Sequence, residues 1–144
     1  MCRILDIWLG IGDTSWRIEH VSSYLDALRG PVSSCEFANE CHRFLTIEQN
    51  GDVAGCDFVD WRPILGNVLQ ADLPTICQGE VYHQWRERVV AVPPECRGCR
   101  WFSVCGGGCL HYRPYGADDG IWGRYQLCQV RQRIWEYYAE RVVK

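Results

Sequence analysis

The sequence predicts a small, cysteine-rich α+β domain with a β-hairpin, two or three helices and a long C-terminal helix. Three observations support this class. Asn50-Gly51, which lies between two apolar runs, is the strongest short signal for a two-residue hairpin turn. Apolar residues recur at helical spacing between about Glu80 and Val90. A third periodic segment, from about residue 124 to 142, mixes an apolar stripe with arginines and glutamates.

Two helices and the loop that follows them are predicted before the hairpin. A first helix covers residues 1–9 and ends at Gly10 and Gly12, and a second runs from about His20 to Arg29. The first helix starts without a cap, which indicates the tail of a longer protein. The hairpin strands are predicted around residues 44–47 and 52–56.

The C-terminal half is predicted to contain three helices. Asp72 caps a short one that has Pro74 in its first turn. The second, from about Glu80 to Val90, ends before Pro93-Pro94, and its apolar face holds Val81, Trp85 and Val89. The apolar stripe of the last helix is predicted to consist of Leu127, Val130, Ile134 and Tyr137.

Composition narrows the function classes. The chain has 144 residues, enough for one domain with a modest core, and a formal net charge of −3 with Lys144 as its only lysine. A nucleic-acid-binding protein is normally strongly basic, so no nucleic-acid partner is expected. No apolar run approaches the ~20 residues of a membrane span, so no membrane partner is expected. The N-terminus does not resemble a signal peptide, and we expect a cytoplasmic protein.

Ten cysteines dominate the chemistry, and four of them fall between Cys96 and Cys109 in the spacing C-x2-C-x5-C-x3-C. Such a short run needs disulfides or a metal to hold its thiols together. In a reducing cytoplasm, clustered cysteines usually bind metal. Three consecutive glycines, residues 106–108, let the backbone turn tightly and approach a bulky ligand, with N–H groups free to face anionic sulfur.

The spacings leave the kind of metal site open. Outside the dense run, Cys35 and Cys41 lie on a loop, Cys56 ends the hairpin and Cys128 starts the last helix. Four-sulfur tetrahedral sites hold zinc or iron–sulfur clusters. Zinc sites often pair two C-x2–4-C knuckles, and only one C-x2-C is present here, which favours clusters over zinc. Spacing alone also permits a site made of the four dense-run cysteines, with Cys77 recruited to the other.

The pattern Cys41-x9-Gly51-x4-Cys56, a gap, Cys96-x2-Cys99-x5-Cys105-x3-Cys109, a gap and Cys128 resembles the seven-cysteine signature of the SPASM domain. This domain is the C-terminal extension of radical SAM enzymes that mature peptides and proteins. Cys35, six residues before Cys41, fits the extra ligand of the anaerobic sulfatase-maturating members. The resemblance covers residues 35–128 and implies a SPASM-like fold for residues 35–144.

The resemblance implies two auxiliary [4Fe–4S] clusters whose ligands cross between chain segments. The first cluster's ligands are Cys35, Cys41, Cys56 and Cys109. The second cluster's ligands are Cys96, Cys99, Cys105 and Cys128. A cluster with four cysteines has no open iron, so its natural roles are electron transfer and structural stapling. Arg43, Arg97 and Arg100 are plausible charge partners, although each is equally well interpreted as a solvated surface arginine.

Asp57, directly after Cys56, is the candidate catalytic residue. In the sulfatase-maturating enzymes, the aspartate at the matching position is thought to take the substrate proton. A carboxylate beside an anionic cluster is suited to act as a general base. The alternative is an aspartate that hydrogen-bonds backbone N–H groups at the hairpin end. Cys77 is interpreted as a small buried apolar residue and Cys2 as a spare terminal thiol.

The radical SAM core is not found in this sequence. That core requires a C-x3-C-x2-C motif. Cys105 and Cys109 match the first two cysteines of its spacing, but Tyr112 occupies the position of the third. S-adenosylmethionine (SAM) and a third cluster are therefore expected only in a missing radical SAM domain, in cis or in trans. The chain alone is not expected to be catalytic. Residues 1–34 are predicted to be a helical linker resembling the segment between a radical SAM barrel and its extension.

These inferences predict an auxiliary-cluster domain that docks substrate and relays electrons in a radical SAM enzyme modifying peptides or proteins. The expected partners are a peptide or protein substrate, the radical SAM domain and a reductant such as ferredoxin or flavodoxin. Two alternatives stay open at this point. One is a non-enzymatic interaction module stapled by zinc, and the other is a free-standing, ferredoxin-like electron carrier.

Overall fold

A computed structural model of the chain describes residues 1–13, 15–30, 32, 34–59, 62–114 and 123–142. Its helices are α1 (Cys2–Ile11), α2 (Glu19–Arg29), α3 (Cys35–Ala38), α4 (Leu73–Cys77), α5 (Glu80–Val90), α6 (Phe102–Cys105) and α7 (Cys128–Val142), and its strands are β1 (Thr46–Ile47), β2 (Asp52–Ala54) and β3 (Ile64–Asn67). Short 3-10 helices cover Cys41–Arg43, Pro94–Cys96 and Leu110–Tyr112. The predicted α+β class is confirmed, and so are the hairpin and the long C-terminal helix.

The sheet is antiparallel in the order β1-β2-β3. Asn50-Gly51 turns the chain between β1 and β2, and Gly51 has a positive φ of 85°. Thr46 pairs with Ala54. The third strand, which the sequence pattern did not predict, pairs Asp52 with Asn67. Gly66 is needed in β3 because a Cβ there would lie 2.9 Å from the side chain of Ile76.

One hydrophobic core is helical and joins both ends of the chain. Aromatic rings fill this core. The ring centroids of Tyr24 in α2 and Trp135 in α7 are 4.5 Å apart, and Phe37 of α3 packs edge-on against Trp135 with a centroid distance of 5.3 Å. The buried members of this core are Leu5, Val21, Tyr24, Leu25, Ala27, Phe37, Trp101, Ile134, Trp135 and Tyr138. Because Trp101 belongs to the cysteine loop, this core supports one side of the candidate site.

A second core lies between the sheet and α4 and α5. Trp85 of α5 is its largest side chain, and Gly55 after β2 leaves room for the indole ring. The buried members are Cys41, Val53, Val59, Leu65, Ile76, Trp85, Val89 and Leu110. Asp72 caps α4 as predicted, since its carboxylate accepts a hydrogen bond from the Thr75 N–H at 2.9 Å. Cys41 and Leu110 tie this core to the cysteines.

The last helix differs from its prediction in start and orientation. It begins at Cys128, and Leu127 and Val130 are half exposed, so the predicted stripe is wrong at these two positions. The buried face consists of Arg131, Ile134, Trp135 and Tyr138. The rings of Trp135 and Tyr138 offer more apolar area than Leu127 and Val130, and burying them turns Arg131 inward. Most of the predicted loop before this helix, residues 115–122, lies outside the described residues.

The N-terminal helix is apolar on more than one face. Leu5 is fully buried, whereas Ile7 and Ile11 are exposed. The helix ends at Gly12, which adopts the left-handed conformation with φ 67°. At the other end of the chain, Asp6 of α1 forms an ion pair with Arg141 of α7 at 3.0 Å. No helix in the described ranges is long and apolar enough to cross a membrane.

Candidate metal centre

The cysteines 35, 41, 56 and 109 form one electrostatic neighbourhood, here called the first cysteine group. Burial, together with smaller contributions from Cys109, Cys35 and Cys56, raises the pKa of the Cys41 thiol to about 11. The pKa of Cys109 is raised by burial and by Cys56. A thiol held neutral in this way releases its proton when a metal binds.

The cysteines 96, 99, 105 and 128 form the second cysteine group. All four line one cavity, whose walls also include Trp101 and Trp135. The pKa of Cys96 is raised by burial and then by its neighbours Cys105, Cys128 and Cys99. The pKa of Cys128 is likewise raised by burial and by Cys105 and Cys99.

The two groups divide the dense cysteine run between them. Cys105 and Cys109 are only four residues apart, yet the first interacts with Cys96 and the second with Cys41 and Cys56. The intervening glycines have φ angles of 57°, 84° and 81°, which carry the chain from one group to the other. The structure therefore brings Cys109 to the N-terminal cysteines. The role of each cysteine as a cluster ligand stays a prediction.

Short elements place the first group's side chains. Cys35 opens α3, and Asn39 in the left-handed conformation, with φ 54°, ends that helix. Cys41 opens a 3-10 turn, Cys56 follows β2, and Cys109 precedes another 3-10 turn. The hairpin therefore returns Cys56 to Cys41, as the sequence indicated.

The second group is placed by the cysteine loop and α7. Cys96 ends a 3-10 turn, Cys105 ends α6, and Cys128 is the first residue of α7. Two α7 side chains approach the thiols: Gln132 Nε2 lies 3.7 Å from Cys99 Sγ, and Arg131 Nη1 lies 4.0 Å from Cys105 Sγ. These donors are of the kind that tune the sulfur atoms of iron–sulfur sites.

Two of the three loop glycines, Gly106 and Gly108, pack against protein, whereas Gly107 lines the cavity of the second cysteine group. A Cβ on Gly106 would overlap the carbonyl oxygen of Phe37, and one on Gly108 would lie 2.7 Å from the ring of Tyr125. The N–H groups of Gly106 and Gly108 donate within the loop, to the carbonyls of Phe102 and Cys105. Gly106 is thus needed for close packing against α3, and Gly108 for close packing against Tyr125.

Two buried arginines that the sequence reasoning missed flank the cysteines. Arg113 is 4% exposed and donates hydrogen bonds to three carbonyls of the glycine loop. Arg131 is 3% exposed and forms an ion pair with Glu36 at 2.5 Å. A positional signal existed for both: Arg113 follows Cys109 by four residues, and Arg131 follows Cys128 by one helical turn.

The arginines proposed from sequence are exposed instead. Arg43 forms an ion pair with Glu40 at 3.0 Å, and Arg100 lies over the ring of Trp101 at 4.6 Å. Arg97 is also exposed. Sequence proximity to a cysteine favoured these three, but their side chains have open solvent available, where a guanidinium is well hydrated.

The cavity of the second cysteine group contains hydrogen-bond donors suited to an anionic sulfur cluster. Among the described residues, the indole N–H groups of Trp101 and Trp135 are buried without a hydrogen-bond partner. Both side chains line the cavity that the four thiols share. Buried donors normally have partners, and cluster sulfides are acceptors. Thiolate ligands and unpaired donors therefore fit an iron–sulfur group at this position.

Neither cysteine group forms a single-ion site within the described residues. No group of three or more histidine, cysteine, aspartate or glutamate side chains in the described ranges is arranged to hold one metal ion. The members of each cysteine group are near enough for their charges to interact.

Asp57 is exposed at the edge of the first group. Its Oδ1 atom lies 4.0 Å from the Sγ atom of Cys56, and its backbone carbonyl accepts a hydrogen bond from Arg62 at 2.9 Å. The neighbouring Phe58 is 66% exposed. The carboxylate is thus both close to a predicted cluster ligand and accessible from solvent.

The two remaining cysteines have other environments. Cys2 packs against the helical core. Cys77 is the last residue of α4 and partly buried.

Comparison with known proteins identifies the domain. Residues 35–100 match the SPASM family, described as an iron–sulfur cluster-binding domain. The chain is 30% identical over 119 residues to a cysteine-type anaerobic sulfatase-maturating enzyme of Clostridium perfringens, covering 81% of the chain and 31% of that enzyme. It is 28% identical to a serine-type enzyme of Bacteroides thetaiotaomicron, covering 96% of the chain and 34% of that enzyme.

Solved structures agree with the sequence matches. The structure of native anSMEcpe with bound AdoMet and the Cp18Cys peptide superposes with a TM-score of 0.80 at 27% identity. The alignment covers 99% of this chain and 40% of that one. The chain spans about a third of the length of the curated relatives it matches.

The fold and the cysteine pattern define an auxiliary iron–sulfur cluster-binding domain. In particular, the chain carries a SPASM domain, and its curated homologues are anaerobic sulfatase-maturating enzymes of the radical SAM class.

Proposed function

We propose that the chain binds two [4Fe–4S] clusters, one on each cysteine group. The first is held by Cys35, Cys41, Cys56 and Cys109, and the second by Cys96, Cys99, Cys105 and Cys128. One observation carries the proposal: eight of the ten cysteines fall into two neighbourhoods of four, with the division between Cys105 and Cys109. When bound, the clusters supply one-electron transfer and staple distant segments of the chain.

The domain is proposed to serve a radical SAM enzyme that modifies peptides or proteins. SAM and a third cluster belong to a separate radical SAM domain, in cis or in trans. Residues 1–34 are the helical linker to that domain, and residues 35–144 form the auxiliary-cluster unit. The proposal is supported by homologues that contain this unit within a longer chain and by the peptide bound to anSMEcpe.

Within this framework, the residues of the domain have distinct tasks. The thiols fix both clusters with no open iron, so substrate does not bind to iron here. Asp57, exposed beside Cys56, would accept a proton from the substrate, and the first cysteine group would hold a cluster whose chemistry is one-electron transfer. The proposed partners are a peptide or protein substrate and a cytoplasmic reductant such as ferredoxin or flavodoxin.

Anaerobic reconstitution of the chain with iron and sulfide tests the cluster assignment. We expect about eight iron atoms per chain and a broad absorption band near ~400 nm. Metal analysis of protein purified without reconstitution provides the comparison with zinc. One or two zinc atoms per chain, with iron that does not bind, would support the zinc-stapled module instead.

A pull-down under anaerobic conditions distinguishes the domain from a free-standing electron carrier. The bait is the loaded chain, and the candidate partner is a separately expressed radical SAM protein from the same source. Capture of a SAM-cleaving protein, or a C-x3-C-x2-C motif encoded in the same reading frame, supports the auxiliary role. A chain that exchanges electrons with ferredoxin and associates with neither supports the carrier.

Replacing Asp57 with asparagine is expected to suppress turnover of the complete enzyme by about 100-fold or more, because general acid–base catalysis contributes about that factor. Iron content is expected to stay unchanged, since the side chain is exposed and is not a proposed ligand. Product formation by mass spectrometry and iron per chain are the two measurements. Asp13→Asn, at an exposed carboxylate outside both groups, is the matched control. Wild-type turnover in Asp57→Asn would remove the base assignment.

A further inference from the structure

Arg113 lies between the two cysteine groups. The ionisable groups that interact with it most strongly are Cys41 and Cys109 of the first group and Cys96 and Cys105 of the second. Burial lowers the pKa of its guanidinium, whereas the interactions with these four thiols raise that pKa. Arg131 differs, because its charge is compensated directly by Glu36.

The guanidinium holds the loop that separates the groups. Its Nε donates to the carbonyl of Gly107 at 2.9 Å, and its Nη2 donates to those of Gly106 and Gly108 at 3.1 and 2.8 Å. Three carbonyls in succession thus face one planar cation. The arrangement fixes the turn that directs Cys105 to one group and Cys109 to the other.

The remaining nitrogen of Arg113 is unsatisfied. Nη1 is buried and has no hydrogen-bond partner among the described residues. Carbonyl dipoles alone compensate a buried cation poorly, and an unpaired charged donor is costly. An anionic group on either side would supply the missing compensation. A cluster with four thiolates carries net negative charge, so two clusters fit this position.

We propose that Arg113 is a positioning residue shared by both clusters, which holds the glycine loop through Nε and Nη2 and raises both reduction potentials through its buried charge. The inference rests on the two-cluster function proposed above. The sign follows from electrostatics. Reduction adds negative charge to a cluster, and a nearby buried cation stabilises the more negative state. Removing the cation therefore shifts both midpoint potentials to more negative values.

Three variants of the reconstituted chain separate charge from shape. Arg113→Gln removes the cation, Arg113→Lys keeps a cation but loses the planar fork, and Arg97→Gln removes an exposed cation next to Cys96. Each sample is analysed for iron and titrated electrochemically, with the reduced clusters followed by electron paramagnetic resonance. We expect Arg113→Gln to shift both midpoint potentials to more negative values. Arg113→Lys and Arg97→Gln should stay near the wild-type values.

Each outcome supports or overturns the inference. A shift of one potential, or of neither, in Arg113→Gln would overturn it. If Arg113→Gln binds no iron, the result for Arg113→Lys distinguishes the two roles. Iron binding with wild-type midpoint potentials supports the charge role. An Arg113→Lys variant that also binds no iron would overturn the charge role and leave Arg113 only the task of holding the glycine loop. An iron content far below eight in the wild-type chain instead contradicts the two-cluster function, so the two failures are distinguishable.

Discussion

Replacing Cys109 with serine is expected to remove the same cluster that replacing Cys41 removes. Both variants should lose about half of the iron, about four atoms per chain, because a serine oxygen is a poor ligand for a soft iron–sulfur site. Cys99→Ser and Cys128→Ser should each lose the other half. The readouts are iron content and the electron paramagnetic resonance signal of the cluster that survives in each variant.

The reason lies in the loop between Cys105 and Cys109. A compact loop of three residues would ordinarily keep the flanking thiols together, and spacing alone permits one site made of Cys96, Cys99, Cys105 and Cys109. In the structure, the triplet of left-handed glycines turns Cys109 away, towards Cys41 and Cys56. Long-range partners therefore replace the sequence neighbours, and Cys128 completes the second group from the far end of the chain.

Cys77→Ser is the matched control for these variants. It is also a partly buried cysteine, but it ends α4 and is not among the cysteines whose charges interact in either group. It should keep all of the iron. If Cys109→Ser left the signal lost in Cys41→Ser intact and abolished the one lost in Cys99→Ser, the crossed arrangement would be wrong.

Serine variants that lose the whole fold are recognised by a loss of all iron together with the near-ultraviolet signal of the buried tryptophans. Trp85 and Trp135 report on the sheet core and the helical core separately. A cluster site without its metal rarely holds its shape. Partial loading with both cores retained is therefore the informative state, and it is the one expected here because each cysteine group is supported by a different core.

Sequence patterns predicted the local elements well where a local physical rule decides them. The Asn50-Gly51 turn, the Asp72 cap and the bounds of α5 all depend on residues within a few positions of each other. The same holds for the return of Cys56 to Cys41, which a hairpin enforces. Non-local packing was less predictable. Strand β3 can pack against α4 because Gly66 has no side chain and leaves room for Ile76. No local sequence pattern contains that information.

The arginines around the site show even more clearly that non-local packing is hard to predict from sequence. Arginines adjacent to cysteines in sequence, such as Arg97 and Arg100, are exposed, whereas Arg113 and Arg131 are buried beside the thiols. Burial of Arg131 depends on the rotation of α7, which is set by Trp135 and Tyr138 packing into the helical core. Helical periodicity restricted to aliphatic residues therefore indicated the wrong face. Weighting the aromatic rings more strongly would have placed Arg131 inward.

Replacing Gly106 with alanine is expected to destabilise the domain by about 3 kcal/mol or more. A left-handed conformation costs an L-residue roughly 1–2 kcal/mol, and forcing an extra methyl group into a packed site typically costs a further 1–3 kcal/mol. The new Cβ would overlap the carbonyl oxygen of Phe37 and lie 2.8 Å from the Asn39 nitrogen. Both atoms are backbone at the end of α3, so neither can move without shifting the helix.

Gly98→Ala is the control that isolates this contact. Gly98 lies in the same loop and also has a positive φ, of 80°, but an added Cβ there would meet no atom within 4 Å. It should therefore cost only about 1–2 kcal/mol. The change in the midpoint of denaturant unfolding, measured on reconstituted protein, gives the comparison. Equal losses in the two variants would mean that backbone conformation alone matters.

The Gly106 variant also tests how the two sites communicate. Gly106 directly follows Cys105 of the second group, but the helix it would displace begins with Cys35 of the first. Alanine at 106 should therefore reduce iron at the first site at least as much as at the second, as judged by the signals assigned through Cys41→Ser and Cys99→Ser. Gly98→Ala should retain both signals. Iron lost only from the second site would show that α3 is not held against the glycine loop, because the local ligand Cys105 alone would then be disturbed.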